Sequence, residues 1–395
     1  MDWGKLSKDD NGNLGVPGNW LFPHYYEALT VLFRVENALR LFVYVVLKEQ
    51  HGPKWRDLEI SSDEQGKTTI AALARRRIEQ GKTFGYLSYP IQSPLMHLTS
   101  GELVGLITHD SYWPIFKQYF PAARSVVTLK LQEIGTVRNA LAHFRPVSTN
   151  DVDAVKLNAN QMLAGVEKTL SEVIDCIHAV PTNTEDPWYK GLRTLGSDHT
   201  TLRFSQSRDG SWVRITLLYR SVLLSEIPKR AAQLRYRVTT VDTPALVEIH
   251  HILKDNVLFA VERPYTTRVS DWDLSLDAQK EIGLTFGKST LTAGHERIKE
   301  CLEQVLSQIS EETDLLREDQ LARGKLVSAA LVTAQRRERG DTVWWQILRS
   351  GLQSAAPERE LPEYWGRISA GADFVTDTED YPWMPIKICE GLVPF

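Results

Sequence analysis

Hydrophobic residues recur every three or four positions through most of the first 180 residues, which is the spacing of one helix face. Tyr25–Lys48 is apolar almost all round and has only a narrow polar stripe, so it predicts a central, largely buried helix. Thr99 or Ser100 can cap a short helix that ends at Ile107, and Asp110–Phe120 predicts the next one.

Two longer helices are predicted after these. Ala122–Phe144 carries apolar residues that share one face, namely Val127, Leu131, Ile134, Val137, Leu141 and Phe144. Pro146 stops this helix, and Asn150 or Asp151 then caps another that runs to about residue 180. Polar residues from 51 to 80 indicate a loop and an exposed helix. Residues 1–180 therefore predict an all-helical bundle.

The hydrophobic period changes to two further along the chain. Residues 181–198 are rich in Pro, Thr, Asp and Gly and predict a linker. Two β-hairpins are predicted beyond it, Thr201–Ser205 with Trp212–Leu218 around Asp209-Gly210, and Val247–Leu253 with Val257–Val261 around Asp255-Asn256. Helices are predicted at Leu224–Leu234, Thr292–Leu316 and Leu326–Arg339. Residues 199–395 thus form an α+β domain, and the whole chain is predicted to be α+β.

Composition excludes several classes of protein. Hydrophobic residues make up 42% and charged residues 24% of the 395, close to globular averages. The longest strongly apolar run, Leu41–Leu47, is far short of the roughly 20 residues that span a bilayer, so we expect no membrane partner. The three cysteines, Cys176, Cys301 and Cys389, lie too far apart for a disulfide framework or a thiolate metal site. A reducing cytoplasm is the expected location, with neither metal nor cofactor.

Charge is distributed unevenly along the chain. Residues 1–180 are neutral, residues 199–270 carry 11 basic and 6 acidic groups, and residues 271–395 carry 14 basic and 22 acidic groups. The basic segment could contact phosphates, although a solvated surface often has such a charge balance as well. Four arginines are its candidate RNA-binding residues, namely Arg203, Arg214, Arg235 and Arg237.

One spacing carries candidate chemistry. Arg138 and His143 match an arginine followed, four to six residues later, by a histidine, and they lie near the end of an amphipathic helix. Arg193 and His199 match the pattern too, but Gly196 lies between them in the predicted linker. Asn139 and His143 share a helix face outside the core. In a purely structural interpretation, His143 caps the helix and Arg138 pairs with a buried acid.

Several segments in order resemble the HEPN family, in particular the branch found beside PIN-type endoribonucleases in the Swt group. They are Arg34–Arg40, Gly52–Trp55, Leu87–Tyr89, Leu103–Ile107, Trp113–Phe116 and Val137–His143. The resemblance covers about residues 15–180 and makes the bundle HEPN-like. It implies a metal-independent endoribonuclease with RNA as substrate, a homodimer with the site at the two-fold axis, and a part in toxin or phage-defence systems.

Under that resemblance His143 transfers protons, Arg138 holds the phosphate and Asn139 orients either one. Glu36 supports the site from the first helix, paired with Arg40 or with Arg138; a structural salt bridge and a part in catalysis both stay open. A different class of function is a non-catalytic HEPN scaffold or a module that binds nucleotides or proteins. Under either class of function, residues 199–395 could sense a protein or small-molecule trigger, inhibit or recruit.

Overall fold

The computed structural model describes residues 7–8, 10, 14–15, 23–63, 66–84, 94–143, 145–179, 185–227, 233–269, 276–318, 324–340, 342–348 and 361–366. These residues form two compact units, the first ending at Ile174 and the second beginning at Asp175. Helices and strands are both present, in agreement with the predicted α+β class. The boundary falls slightly before the predicted one at residue 180.

The first unit is mostly helical. Its elements are β1 (Ser7–Lys8), β2 (Leu14–Gly15), α1 (Pro23–His51), β3 (Glu59–Asp63), β4 (Gly66–Thr69), α2 (Ile70–Phe84), α3 (Ser100–Ile107), α4 (Trp113–Phe116), α5 (Arg124–Ala142) and nearly all of α6 (Thr149–Asp175). Turns of 3-10 helix cover Gly52–Asp57, Pro94–His97 and Lys117–Tyr119. The prediction of an all-helical unit was wrong in one respect, because β1–β2 and β3–β4 are antiparallel hairpins.

The core of this unit surrounds α1. All seven residues from Leu41 to Leu47 are at most 1% exposed, as the apolar pattern predicted. The ring of Phe42 lies 5.7 Å from that of Phe116, and Tyr44 packs edge-on against Trp55 at 5.3 Å. Burial of each such side chain stabilises the fold by about 1.5–3 kcal/mol.

The helix α5 lies with its predicted apolar face against this core. Val127, Leu131 and Ile134 are buried, and Val137 and Leu141 pack against a small cluster of Ala28, Val147 and Val152. Phe144, the last member of the predicted face, lies outside the described residues. Since α5 contacts both α1 and α3, its polar side is held at a fixed position beside them.

The second unit contains two sheets. Its elements are β5 (His178–Ala179), α7 (Pro187–Leu192), β6 (Thr200–Gln206), β7 (Trp212–Arg220), β8 (Leu223–Ile227), β9 (Gln233–Val241), α8 (Thr243–Ile249), α9 (His251–Asn256), β10 (Phe259–Val269), β11 (Leu276–Gly287), α10 (Lys288–Arg317), β12 (Val327–Arg339), β13 (Thr342–Leu348) and β14 (Tyr364–Gly366). One sheet has the order β14-β10-β11-β7-β6-β5 and the other β13-β12-β9-β8.

The first predicted hairpin and the helix at Thr292–Leu316 are confirmed. β6 and β7 pair antiparallel, and Gly210 in their turn has φ +72°, a conformation that favours glycine. α10 covers the whole predicted helix. The hydroxyl of Tyr219 bonds Thr239 at 2.6 Å and Thr313 at 3.0 Å, which ties β7 to β9 and α10.

Three other predictions for this unit were wrong. Val247–Leu253 lies in α8 and α9, which are separated at His250, and not in a hairpin; Asp242 caps the start of α8 by accepting a bond from the N–H of Ala245. The predicted helix at Leu224–Leu234 is replaced by β8 and the start of β9, with residues 228–232 outside the described range. The predicted helix at Leu326–Arg339 is the strand β12, which pairs with β9 on one side and β13 on the other.

The predicted linker also differs from the structure in its described part. Pro187 begins α7, whose Trp188 and Leu192 are at most 1% exposed. α7 packs against α10 and so belongs to the second unit. The proline that suggested a linker, Pro187, is instead the first residue of this short helix. It does not mark a free linker.

Candidate functional site

The predicted site residues of the first unit meet around one carboxylate. Glu36 on α1 faces Arg138 on α5, and its Oε2 lies 3.4 Å from Arg138 Nε. The other oxygen, Oε1, accepts a hydrogen bond from Arg40 one turn further along α1. Of the two partners that the sequence left open for Glu36, the structure contains both. The side chain of Glu36 is 14% exposed and that of Arg138 is 38% exposed, so only the carboxylate side of this pair is largely shielded from water.

A third helix reaches the same carboxylate. Ser100, the first residue of α3, donates its hydroxyl to Glu36 Oε2 at 2.7 Å. Arg40 is held in turn by the carbonyl of Leu98 at 3.2 Å and by Asn37 Oδ1 at 3.3 Å. Burial lowers the pKa of Arg40, and the neighbouring Glu36 opposes that shift. The Glu36 carboxylate therefore contacts polar side chains of three helices, Arg40 of α1, Ser100 of α3 and Arg138 of α5.

Arg138 is half-buried, with one edge directed inward and the other toward solvent. Its side chain is 38% exposed, and its Nη1 lies 3.5 Å from Oδ1 of the exposed Asn139. Within the described residues, Glu36 and Asn139 are the polar partners of this guanidinium. Since an arginine carries five N–H donors in a planar fork, the outer edge retains donors for an anion.

His143 lies at the end of the same helix. It is the C-cap residue of α5, its backbone N–H donates to Asn139 O at 3.1 Å, and its side chain is exposed. No hydrogen bond joins the imidazole to another described residue of the chain. Arg138 and His143 are five residues apart, which places them about 140° apart around the helix axis. A single α5 therefore does not direct both side chains to one point.

Among the described residues, nothing fills the side of α5 between Arg138 and His143 at Gly135. A Cβ placed on Gly135 would have no neighbour within 4 Å among the described atoms, and Ala142 is exposed. Small residues here leave room for another helix or a ligand.

Two residues near this site were not predicted as part of it. Ser100 was recognised only as a cap, because nothing in the sequence shows that α3 begins beside Glu36. Arg145 is exposed just after His143, and its backbone N–H donates to Ala140 O at 2.8 Å, which folds it back onto the helix end. Its charge beside the histidine was the available signal.

The arginines predicted to bind RNA in the second unit do not share one surface. Arg214 is 6% exposed, and the prediction for it was wrong. It bonds Thr285 Oγ1 at 3.0 Å and the carbonyl of Asp175 at 3.2 Å, so its guanidinium is used inside the unit. Arg203 is exposed on β6, whereas Arg235 and the exposed Arg237 lie on β9 of the other sheet.

His199, from the second Arg–His match, is a structural residue. Its side chain is 11% exposed, and its Nε2 lies 3.1 Å from Asp314 Oδ1 on α10. Substitution of His199 would therefore disturb packing in the second unit.

The described residues include no group of three His, Cys, Asp or Glu side chains placed to hold a metal ion. Among the helices described, none combines the length and apolar character that a membrane span requires. Comparison with known proteins finds no match: no family model fits the sequence, and neither a curated protein nor a solved structure is similar to it.

Proposed function

We propose that the protein is a metal-independent endoribonuclease of the HEPN type, with Arg138 and His143 as its catalytic residues. One observation carries the proposal. Arg138 forms an ion pair with the part-buried Glu36 and stays 38% exposed itself, next to the helix end where the exposed His143 lies. A purely structural arginine would direct its whole guanidinium inward, as Arg214 does.

The chemistry requires two kinds of group. The RNA 2′-oxygen attacks the adjacent phosphorus, the bond from phosphorus to the 5′-oxygen breaks, and a 2′,3′-cyclic phosphate forms. One proton leaves the 2′-hydroxyl and one reaches the 5′-oxygen. A histidine titrates near neutrality and can carry these protons, while an arginine stabilises the charge on the phosphate oxygens. His143 has the first role, Arg138 the second, and Asn139 orients Arg138.

We further propose that the active form is a homodimer. Because Arg138 and His143 lie about 140° apart around α5, an arginine of one chain and a histidine of the other would have to meet across a two-fold axis. The open side at Gly135 and Ala142 leaves room for the second α5. A role in toxin or phage-defence systems, with RNA as target and a cytoplasmic location, follows from the same resemblance. The second unit would sense a protein or small-molecule trigger.

The test is incubation of the purified protein with total RNA in the presence of a chelator. Wild type should cut, and His143→Ala and Arg138→Ala should each abolish cleavage with little change in melting temperature. His178→Ala and Arg76→Ala are matched controls, because both residues are exposed and lie away from the site in sequence. Cleavage by the His143 variant, or loss of wild-type cleavage on chelation, would contradict the proposal.

The second candidate is a non-catalytic HEPN scaffold that binds nucleotides or proteins. The balanced charge of residues 1–180 favours it, because an RNA-binding surface usually carries excess positive charge. In that case wild type and both variants would be equally inactive, while binding of a nucleotide would still depend on Arg138.

A further inference from the structure

The two carboxylate oxygens of Glu36 contact different residues. Oε1 is occupied by Arg40, which is itself fixed by the carbonyl of Leu98. Oε2 accepts the Ser100 hydroxyl at 2.7 Å and faces Arg138 Nε at 3.4 Å. The carboxylate thus contacts Arg138 only at Nε, whereas a carboxylate and an arginine commonly form two parallel hydrogen bonds.

The position of Ser100 is determined by a rigid part of the unit. Its neighbour Thr99 caps α3 and forms a reciprocal capping box with Glu102. Glu102 also forms a two-pronged ion pair with Arg77 of α2, at 2.6 and 2.7 Å. The Ser100 hydroxyl is therefore placed by α2 and α3 together, and it is the sole described partner of Oε2 besides Arg138.

We propose that Ser100 is a positioning residue for Arg138, acting through Glu36; this inference rests on the proposed nuclease function. The Ser100 hydrogen bond and Arg40 together keep Glu36 from rotating into a two-bond grip on Arg138. The Nη nitrogens of Arg138 thereby stay turned outward for the substrate phosphate. Without the hydroxyl, Glu36 Oε2 is free to follow the guanidinium and draw it inward, which removes donors from the phosphate.

The experiment compares Ser100→Ala with Ser100→Thr, which keeps the hydroxyl, and with Ser125→Ala as an exposed control on α5. Substrates are a short oligoribonucleotide and its two phosphorothioate diastereomers at the cleaved bond. We expect Ser100→Ala to lower kcat about tenfold with KM unchanged, as loss of a hydrogen bond to a charged group predicts. It should also change the preference between the diastereomers. Ser100→Thr should restore kcat to within about twofold.

A second readout does not depend on activity. In ¹⁵N-labelled full-length protein, exchange of the Arg138 Nε–H with water should slow in Ser100→Ala, because Glu36 then grips Arg138 more closely. If wild type cuts RNA and Arg138→Ala does not, yet Ser100→Ala matches wild type in kcat and diastereomer preference, the inference is overturned and the proposed function stands. If wild type fails to cut RNA, the proposed function fails. If, in addition, the Arg138 Nε–H exchanges at the same rate in Ser100→Ala and in wild type, the positioning role of Ser100 is overturned as well.

Discussion

Arg138 Nε lies 3.4 Å from Glu36 Oε2, which joins the middle of α1 to the last turns of α5 through a single ion pair. Arg40 holds the other oxygen of the same carboxylate. Glu36 therefore has two roles: it compensates the charge of the buried Arg40, and it pairs with the partly exposed Arg138. The first concerns stability, and the second concerns the proposed reaction.

Substitution of Glu36 by Gln should affect both properties. The charge that compensates Arg40 is lost, so the free energy of unfolding should fall by about 2 kcal/mol. RNA cleavage should fall as well, because Arg138 loses its anchor. Urea unfolding and a cleavage assay measure the two effects, with Glu79→Gln on the exposed side of α2 as control. Unchanged stability in Glu36→Gln would show that the carboxylate does not compensate Arg40.

Arg145 should contribute to RNA binding without taking part in the chemistry. Its position beside the end of α5 puts a fixed positive charge next to His143. In Arg145→Ala, KM should rise with kcat unchanged. The slope of log binding constant against log salt should become shallower by about 0.7, the value for one contact with single-stranded nucleic acid. Arg76→Ala is the control, and an equal slope in Arg145→Ala and wild type would exclude the contact.

The proposed homodimer predicts complementation between inactive variants. Light scattering of the 44.9 kDa chain should report a particle of twice that mass. Because each two-fold site would draw on both chains, a mixture of Arg138→Ala and His143→Ala protein that has exchanged subunits should regain part of the activity. A monomer that still cuts RNA, or a mixture as inactive as its components, would rule out a shared site.

The pair between Glu102 and Arg77 predicts a pH dependence of stability. Burial raises the pKa of Glu102, but hydrogen bonds from Arg77 and Thr99 outweigh this effect and hold its pKa below the ordinary 4.5. A depressed pKa adds stability that is present above pH 4.5 and is lost as the pH falls through the lower folded value. Wild type should therefore exceed Glu102→Gln in stability at neutral pH, and the difference should shrink below pH 4.5.

Denaturation of both proteins at a series of pH values from about 3 to about 7 measures that difference. Glu79→Gln should show no such trend. A difference between wild type and Glu102→Gln that stays constant over this range would show that the ion pair adds no pH-dependent stability.

The long helices of the first unit, α1, α5 and α6, could be predicted because each has an apolar face that one period describes, whereas the helix predicted at Asp110–Phe120 is only the short α4 followed by a 3-10 turn. Val127, Leu131 and Ile134 are buried as their spacing required. Thr99 and Glu102 form the capping box that marks the start of α3. The sequence does not show which helices lie side by side. The contact of Ser100 with Glu36 depends on the packing of α3 against α1 and therefore could not be predicted.

The strands of the second unit were harder to predict, because a segment becomes a strand through hydrogen bonds to strands that are distant in the sequence. Residues 327–339 contain good helix formers, yet Ala330, Val332 and Ala334 alternate inward and pair with β9. Leu246 and Leu253 are buried in α8 and α9, two short helices separated at His250, so neither is long enough to give a clear helical period, and the Asp255-Asn256 pair suggested a turn instead. The burial of Arg214 followed from the sheet, since charge counting along the chain does not distinguish the two faces of a strand.

The central claim is tested most directly with one defined oligoribonucleotide and a copy that carries a single 2′-deoxy sugar at the cleaved position, both incubated with chelator. Mass spectrometry identifies the product ends. We predict that wild type cuts only the full RNA, leaves a 2′,3′-cyclic phosphate or its opened form, and loses this activity in His143→Ala. Cleavage of the 2′-deoxy copy, or the same products from His143→Ala, would contradict the assignment of a metal-independent nuclease site to Arg138 and His143.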